Sequence, residues 1–404
     1  RQVKMIVCTR KLLFTVGVLF LPLFCLEITC APCVTCDPTS VKNTLLNLLR
    51  EHENCVSRDP QQIKFYLYNN FGNKDSRREI LLNDDSSLET SGYLTGQPLK
   101  LLIHGYAETN FDSTFFPENV KDAYLKNQLH SGSGNTNVLV VDSGTLTKPS
   151  YKTQLNDRTY FTCYLQAVLN TNVIGERVAD MVEFLIKQRK TTPELIHIIG
   201  DNLGVHIGGY VGNETTRRFN SKISRLTAID TALPGFRPNK ISTARPMTTD
   251  DAKFVDAVNT INQLAFGDAD SIGHADFFVN LFLQPDVEGS NHGDSKVGVF
   301  QEAMPLGGPI IDSFASFYFA KTVGRSDIMG TSMNSGGHSI FGENCKPGTR
   351  GVYFVCFSMV ENRPCLFDDA IGASEEMPGK ALVKGLGSSL VTQYSQTKQT
   401  SCAD

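Results

Sequence analysis

The stretch Pro-Glu-Leu-Ile-His-Ile-Ile-Gly-Asp-Asn-Leu-Gly-Val-His-Ile-Gly-Gly-Tyr-Val-Gly, residues 193–212, decides the fold of this chain of 404 residues. A short apolar run at 195–199 ends at Gly200, and a second glycine follows at Gly204. Small, helix-compatible residues then continue to Val211. The pattern predicts a buried strand, a sharp turn and a helix, because glycine permits backbone conformations that other residues resist.

Such a turn is typical of ester hydrolases when its central residue is serine. In the α/β-hydrolase fold it is the nucleophile elbow, G-x-S-x-G, whose strained central residue presents its side chain above the sheet. Here the five residues read Gly200-Asp201-Asn202-Leu203-Gly204. The amide of Asn202 is not a nucleophile. The sequence therefore predicts the scaffold of an ester hydrolase without its nucleophile.

Composition and charge are those of an ordinary globular protein. Hydrophobic residues make up 41% of the chain and charged residues 20%, with a formal net charge of -4 and a pI near 6.1. This length suffices for one large domain or two smaller ones. Because no long basic or acidic run is present, nucleic acid is not an expected partner.

The first residues have the pattern of a secretory signal peptide. Met5 is followed by Arg10 and Lys11 and then by an apolar run at 12–25. We expect residues 1–31 to be removed by cleavage near Ala31 and the protein to be secreted. That run is short for a membrane span, and no later stretch approaches the roughly 20 apolar residues of a transmembrane helix.

Eight of the 11 cysteines follow residue 31, and an even number in a secreted chain indicates disulfides. Most of them lie near the ends of the chain, so we expect bridges to staple the ends while Cys163 sits apart. The connectivity stays open. Cys33 and Cys36 are also spaced like zinc ligands, but no second pair or histidine cluster has ligand spacing. We therefore expect no metal and no other cofactor.

Further apolar runs predict more of the sheet. Residues 99–103 and 137–141 are short and continuously apolar, which predicts interior strands, and residues 63–67 and 223–229 are also predicted to be strands. Apolar residues at helical spacing predict a helix over 173–187. This alternation predicts a mainly parallel sheet flanked by helices. Functional residues of such sheets follow the carboxyl ends of strands, the positions taken here by His104, Asn202 and Asp230.

Several segments, in the same order along the chain, resemble the neutral lipases related to pancreatic lipase. They are Leu-Leu-Ile-His-Gly-Tyr at 101–106, Asn-Val-Leu-Val-Val-Asp at 137–142, Leu-Thr-Ala-Ile-Asp-Thr-Ala-Leu-Pro at 226–234 and Gly-Asp-Ala-Asp-Ser-Ile-Gly-His-Ala-Asp-Phe-Phe at 267–278. That family includes insect lipases, wasp venom phospholipases A1 and dipteran yolk proteins.

The resemblance implies a domain organisation. Residues 32–62 are expected to form an N-terminal extension, 63–395 the lipase-like α/β-hydrolase domain and 396–404 a polar tail. The last eighty or so residues are too few for the C-terminal β-sandwich of pancreatic lipase. The chain is therefore similar to the short, single-domain insect branch.

The resemblance also assigns positions in a catalytic triad. In an active member a serine attacks the ester carbonyl, a histidine takes its proton and an acid orients the histidine. Asn202 stands at the serine position and Asp230 at the acid. Laying the family's Tyr-Phe-Ala segment on residues 318–320 puts Asp312 at the histidine position. We therefore expect no functional catalytic residue, since loss of the nucleophile or the base alone costs about a million-fold in turnover.

The backbone N–H groups of Tyr106 and Leu203 are expected to form a pair like the oxyanion hole of that family. Four residues are candidates for a substitute base or nucleophile: His104, His206, His274 and Ser313. Structural roles are favoured for each of them.

The family's lid loop corresponds to residues 278–314, which contain no cysteine to bridge it. Its apolar residues are expected either to line a hydrophobic groove or to fill it, and both alternatives stay open: Leu281, Phe282, Leu283, Val297, Val299 and Phe300. The only N-glycosylation sequon starts at Asn213, as Asn-Glu-Thr.

The sequence thus predicts a secreted lipase-like pseudoenzyme that binds a lipid or another apolar ligand, or serves as a yolk-like storage protein. Two alternatives remain. One is an active triacylglycerol lipase or phospholipase A1 with a displaced triad, and the other is a structural secreted protein without a ligand.

Overall fold

The computed structural model describes residues 55–69, 77–106, 116–131, 135–149, 157–232, 235–236, 243–260, 271–279, 314–332, 334–358 and 363–364. The predicted signal peptide, most of the N-terminal extension and the polar tail lie outside the described residues. So do residues 280–313, which make up most of the predicted lid segment, and the cysteine pair at 33 and 36.

The strands of the described residues are β1 Lys64–Tyr68, β2 Arg78–Glu79, β3 Leu99–Ile103, β4 Asn137–Asp142, β5 Ile196–Asp201, β6 Arg225–Ile229, β7 Phe254–Asn259, β8 Ala275–Val279, β9 Met329–Ser332, β10 His338–Ile340, β11 Gly351–Val355, β12 Phe357–Ser358 and β13 Arg363–Pro364. The α-helices are α1 Asp85–Thr90, α2 Glu118–Ser131, α3 Gly144–Thr147, α4 Asp157–Lys187, α5 Leu203–Phe219 and α6 Phe314–Thr322.

Eleven of these strands form one sheet in the order β10-β9-β11-β8-β7-β6-β5-β3-β4-β1-β2. Seven neighbouring strands of this sheet run parallel, namely β11, β8, β7, β6, β5, β3 and β4. The outer strands on both sides pair antiparallel. The predicted mainly parallel sheet is confirmed, and β5, which leads into the quoted turn, lies in its interior between β3 and β6.

Both faces of the sheet are covered, because successive side chains of a strand point to opposite faces. In β3, Leu101 and Ile103 pack on the face covered by α4 and α5, where Val178 and Val205 are buried. Leu102 packs on the other face, against residues of α2 and α6. Strands buried on both faces read as continuous apolar runs, which explains why the central strands were predictable.

Helix α4 is longer than the predicted helix over 173–187, since it begins at Asp157. Its first half contains Thr162 and Cys163, which are both fully buried. The apolar spacing there is interrupted by polar residues that are satisfied inside the protein. Asn170, for example, donates from its side-chain amide to the carbonyl oxygens of Ser57 and Leu146.

The expectation that Cys163 sits apart is wrong. Cys163 forms a disulfide with Cys55, across a sequence separation of 108 residues. The bridge joins the segment before β1 to the first half of α4, which the sequence pattern did not predict to be helical. Cys356 is also disulfide-bonded, whereas Cys345 is a buried thiol whose pKa burial raises to about 11.

Candidate functional site

Asn202 is the single residue between β5 and α5, and its backbone has φ 53° and ψ -113°. A positive φ is uncommon outside glycine, although asparagine adopts it more readily than most residues. The turn therefore has the strained strand-to-helix geometry of a nucleophile elbow, as the pattern predicted.

Gly200 and Gly204 allow β5 and α5 to approach closely. A Cβ on Gly200 would lie 2.5 Å from the carbonyl oxygen of Gly204, and real Cβ atoms do not approach that near. The spacing of the two glycines follows from this contact. A larger residue at Gly200 would push α5 away from β5, and one at Gly204 would push α5 away from the end of β3.

The two predicted N–H donors do converge at this turn, and both reach the same acceptor. The N–H of Leu203 donates to Oδ1 of Asn202 at 2.9 Å, and the N–H of Tyr106 donates to the same oxygen at 3.4 Å. Oδ1 of Asn202 is thus the shared acceptor of the two N–H groups that were predicted to form an oxyanion-like pair.

The backbone of Asn202 is fixed as well. Its N–H donates to the carbonyl oxygen of Ile229 at 3.0 Å, and its carbonyl oxygen accepts from the N–H of Ala232 at 3.3 Å. These bonds tie the elbow to the end of β6 and the residues that follow it.

Asp230 follows β6 directly and also has a positive φ, 34°. Its Oδ1 accepts from the N–H of Thr260 at 2.8 Å, and its Oδ2 accepts from the Thr260 hydroxyl at 2.7 Å. Thr260 comes directly after β7. The sequence pattern did not predict that strand, so it gave no reason to single out Thr260.

His104 has a structural role. The N–H of Ser143 donates to its Nε2 at 3.1 Å, and its Nδ1 donates to the carbonyl oxygen of Gly105 at 3.0 Å. Burial lowers the pKa of His104. A neutral ring with both nitrogens bonded is not poised as a base for Asn202.

His206 and His274 are also held by backbone groups. Nε2 of His206 donates to the carbonyl oxygen of Ala232 at 2.5 Å, and its Nδ1 accepts from the N–H of Met247 at 3.0 Å. Burial lowers the pKa of His206 to about 4. Nδ1 of His274 accepts from the N–H of Val255 at 2.9 Å, and burial lowers its pKa too. Both rings serve to connect segments of the fold.

Several predicted site residues lie outside the described residues. They are Asp312 and Ser313, and the groove candidates Leu281, Phe282, Leu283, Val297, Val299 and Phe300. The sequon is described: Asn213 is exposed on α5, while Thr215 is buried and its hydroxyl donates to the carbonyl oxygen of Val211 at 2.8 Å.

Within the described ranges, no group of three or more His, Cys, Asp or Glu side chains is arranged to hold a metal ion. None of the helices there is both long enough and apolar enough to cross a membrane.

The parallel sheet covered on both faces, the strained turn after β5 and the N–H pair at that turn define an α/β-hydrolase fold. The model of the family described as Lipase matches residues 33–285. The chain therefore belongs to the lipase family.

Three relatives in that family are each about 30% identical to this chain. Bovine hepatic triacylglycerol lipase is 31% identical over 231 residues, which are 56% of this chain and 41% of the relative. Pancreatic triacylglycerol lipase of Myocastor coypus is 30% identical over 224 residues, 54% of this chain and 42% of the relative. Human inactive pancreatic lipase-related protein 1 is 30% identical over 230 residues, which are 55% of this chain and 43% of the relative. The chain thus spans less than half the length of these curated relatives.

Among solved structures, the ferulic acid esterase AmCE1/Fae1A of Anaeromyces mucronatus aligns with a TM-score of 0.29 and 14% identity, covering 51% of this chain and 74% of that one. A TM-score this low adds no weight, so the fold assignment rests on the sheet order and the family match.

Proposed function

We propose that the protein is a secreted, lipase-like pseudoenzyme that binds a lipid or another apolar molecule, either as a carrier or as a yolk-like storage protein. One observation carries the proposal. The elbow keeps its glycine contact and its N–H pair, but the residue at its centre is Asn202, whose amide oxygen accepts from that pair.

The proposed loss of hydrolysis rests on more than one position. We place the serine role at Asn202, the histidine role at Asp312 and the acid role at Asp230. Neither an amide nor a second carboxylate is able to replace a poised serine and histidine. In a related triad, loss of either the serine or the histidine leaves a rate only about 10³- to 10⁴-fold above that of the uncatalysed reaction.

The family membership supports an apolar ligand, since lipase substrates are lipids. The name of the human relative, an inactive lipase-related protein, indicates that family members without activity exist. Other relatives are named as triacylglycerol lipases. Hydrolysis by a displaced triad is therefore the rival function that an experiment has to exclude.

The test uses the purified secreted protein with tributyrin, phosphatidylcholine vesicles and a serine-directed fluorophosphonate. We expect no turnover above that of a heat-denatured sample and no covalent adduct in the intact mass. Turnover that the fluorophosphonate abolishes, with an adduct on a serine, would establish the rival and overturn the proposal.

Native mass spectrometry after gentle purification tests the ligand. A carrier retains lipid, which appears as a mass increment that organic extraction removes. A protein that repeatedly purifies free of lipid and takes up none from added vesicles would instead support the reading as a structural secreted protein.

A further inference from the structure

We infer that the side-chain oxygen of Asn202 occupies the acceptor position of the two backbone N–H groups of Tyr106 and Leu203. A bound apolar molecule is then held without a carbonyl contact to these N–H groups. This rests on the proposed function where it concerns a ligand. The occupancy itself is a property of the chain alone.

Geometry supports the occupancy from two sides. Oδ1 of Asn202 accepts from Leu203 at 2.9 Å and from Tyr106 at 3.4 Å. The two donors belong to different segments, one to the start of α5 and one to the residues that follow β3. A carbonyl oxygen has two lone pairs, so this single oxygen is able to satisfy both N–H groups.

The backbone of Asn202 is fixed close to the two donors. Backbone bonds to Ile229 and Ala232 fix the residue, and a Cβ on Gly105 would lie 2.5 Å from the Cβ of Asn202. The acceptor is therefore tethered next to its donors. A ligand carbonyl has to displace a group whose effective concentration is very high.

The occupancy is tested by backbone hydrogen exchange of the full secreted chain, measured by NMR in the wild type, N202G and N202D. Glycine tolerates the positive φ, so N202G is expected to fold. It should speed exchange about 10-fold at the amides of Leu203 and Tyr106, because one acceptor is lost. N202D keeps an acceptor and should retain protection. Unchanged exchange at both amides in N202G, with β5 still protected, would overturn the occupancy.

The absence of a carbonyl contact is tested with 2-decanone and decane. In N202G, only 2-decanone should shift the amide resonances of Leu203 and Tyr106. In the wild type, the ketone and the hydrocarbon should leave these two amides alike.

A ketone-specific shift at the two amides in the wild type would overturn the inference. If no probe binds either protein, the proposed apolar-ligand function fails, while the exchange rates still decide the occupancy.

Discussion

Gly204, in the first turn of α5, lies so close to the end of β3 that a Cβ on it would stand 1.9 Å from the carbonyl oxygen of Ile103. The obstructing atom belongs to the backbone of a central strand and cannot rotate away. We therefore expect G204A to lower the free energy of unfolding by about 3 kcal/mol, the upper end of the typical range for overpacked interiors.

Urea unfolding followed by circular dichroism measures this loss. G348A is the matched control, since no atom lies within 4 Å of a Cβ at Gly348. It should change stability by less than about 0.5 kcal/mol. Equal stability of G204A and wild type would show that the close approach of α5 and β3 is wrong.

Lys100 and Glu343 form an ion pair of 2.5 Å whose side chains are only 13% and 16% exposed. Burial alone would raise the pKa of Glu343, but Lys100 and Arg225 outweigh it and lower the pKa. E343Q leaves the ammonium of Lys100 buried without its carboxylate. We expect a loss of about 3 kcal/mol in the free energy of unfolding.

A double-mutant cycle with K100M separates the pair from other effects. The double variant K100M/E343Q should be more stable than E343Q, because no unpaired charge remains. K253M is the control: Lys253 pairs with Glu194 at 3.3 Å, but both side chains are about half exposed, at 50% and 51%. K253M should lower the free energy of unfolding by less than about 1 kcal/mol. Additive effects of K100M and E343Q would contradict the coupling.

The disulfide between Cys55 and Cys163 closes a loop with a sequence separation of 108 residues. A cross-link of that span restricts the unfolded chain, by about 4 to 5 kcal/mol in the chain-entropy description. We expect C55A/C163A to unfold at clearly lower urea concentration than the wild type. If the wild type under reducing conditions and the double variant both match the oxidised wild type, the bridge does not stabilise the fold.

His206 should make stability depend on pH. Burial lowers its pKa from 6.5 to about 4, so between these values the unfolded chain binds a proton that the folded chain refuses. Its contribution is complete above pH 6.5 and is lost as the pH falls towards 4. The loss attributable to this residue approaches about 3 kcal/mol.

Urea unfolding at several pH values between 4 and 7 measures the effect in the wild type and in H206Q. Glutamine does not titrate, so the slope of the unfolding free energy against pH should be smaller in H206Q. Identical slopes would mean that the imidazole is not held neutral by its site between Ala232 and Met247.

The central strands were predictable because each is buried on both faces. The predicted run at 99–103 coincides with β3, and the run at 195–199 overlaps β5, Ile196–Asp201. The run at 223–229 contains β6, Arg225–Ile229. In these segments burial and apolar character agree, so the sequence pattern and the structure give nearly the same bounds.

Strand β7, Phe254–Asn259, was not predicted, because its burial is not apolar throughout. Asp256 is fully buried and pairs with the guanidinium of Arg225, which donates to its two carboxylate oxygens at 2.8 and 2.7 Å. A buried carboxylate in mid-strand breaks the hydrophobic run. Its compensating arginine lies about thirty residues away, in a different strand, which a local pattern does not detect.

The candidate site was predictable in position but not in its contacts. Asn202, Tyr106 and Leu203 were named from the elbow pattern and the resemblance. That both N–H groups donate to the side chain of Asn202 depends on its rotamer, which no sequence pattern records. The bonds from Thr260 to Asp230 were missed because they follow the unpredicted strand β7.

The buried hydroxyl of Thr215 sets an order of events for modification at Asn213. Once α5 has packed, Thr215 of the sequon is buried and its hydroxyl donates to the carbonyl oxygen of Val211, whereas Asn213 stays exposed. Glycan transfer needs both residues of the sequon, so it has to precede the folding of α5. A sugar found at Asn213 would therefore show that the glycosyltransferase acted on the chain before α5 packed against the rest of the fold.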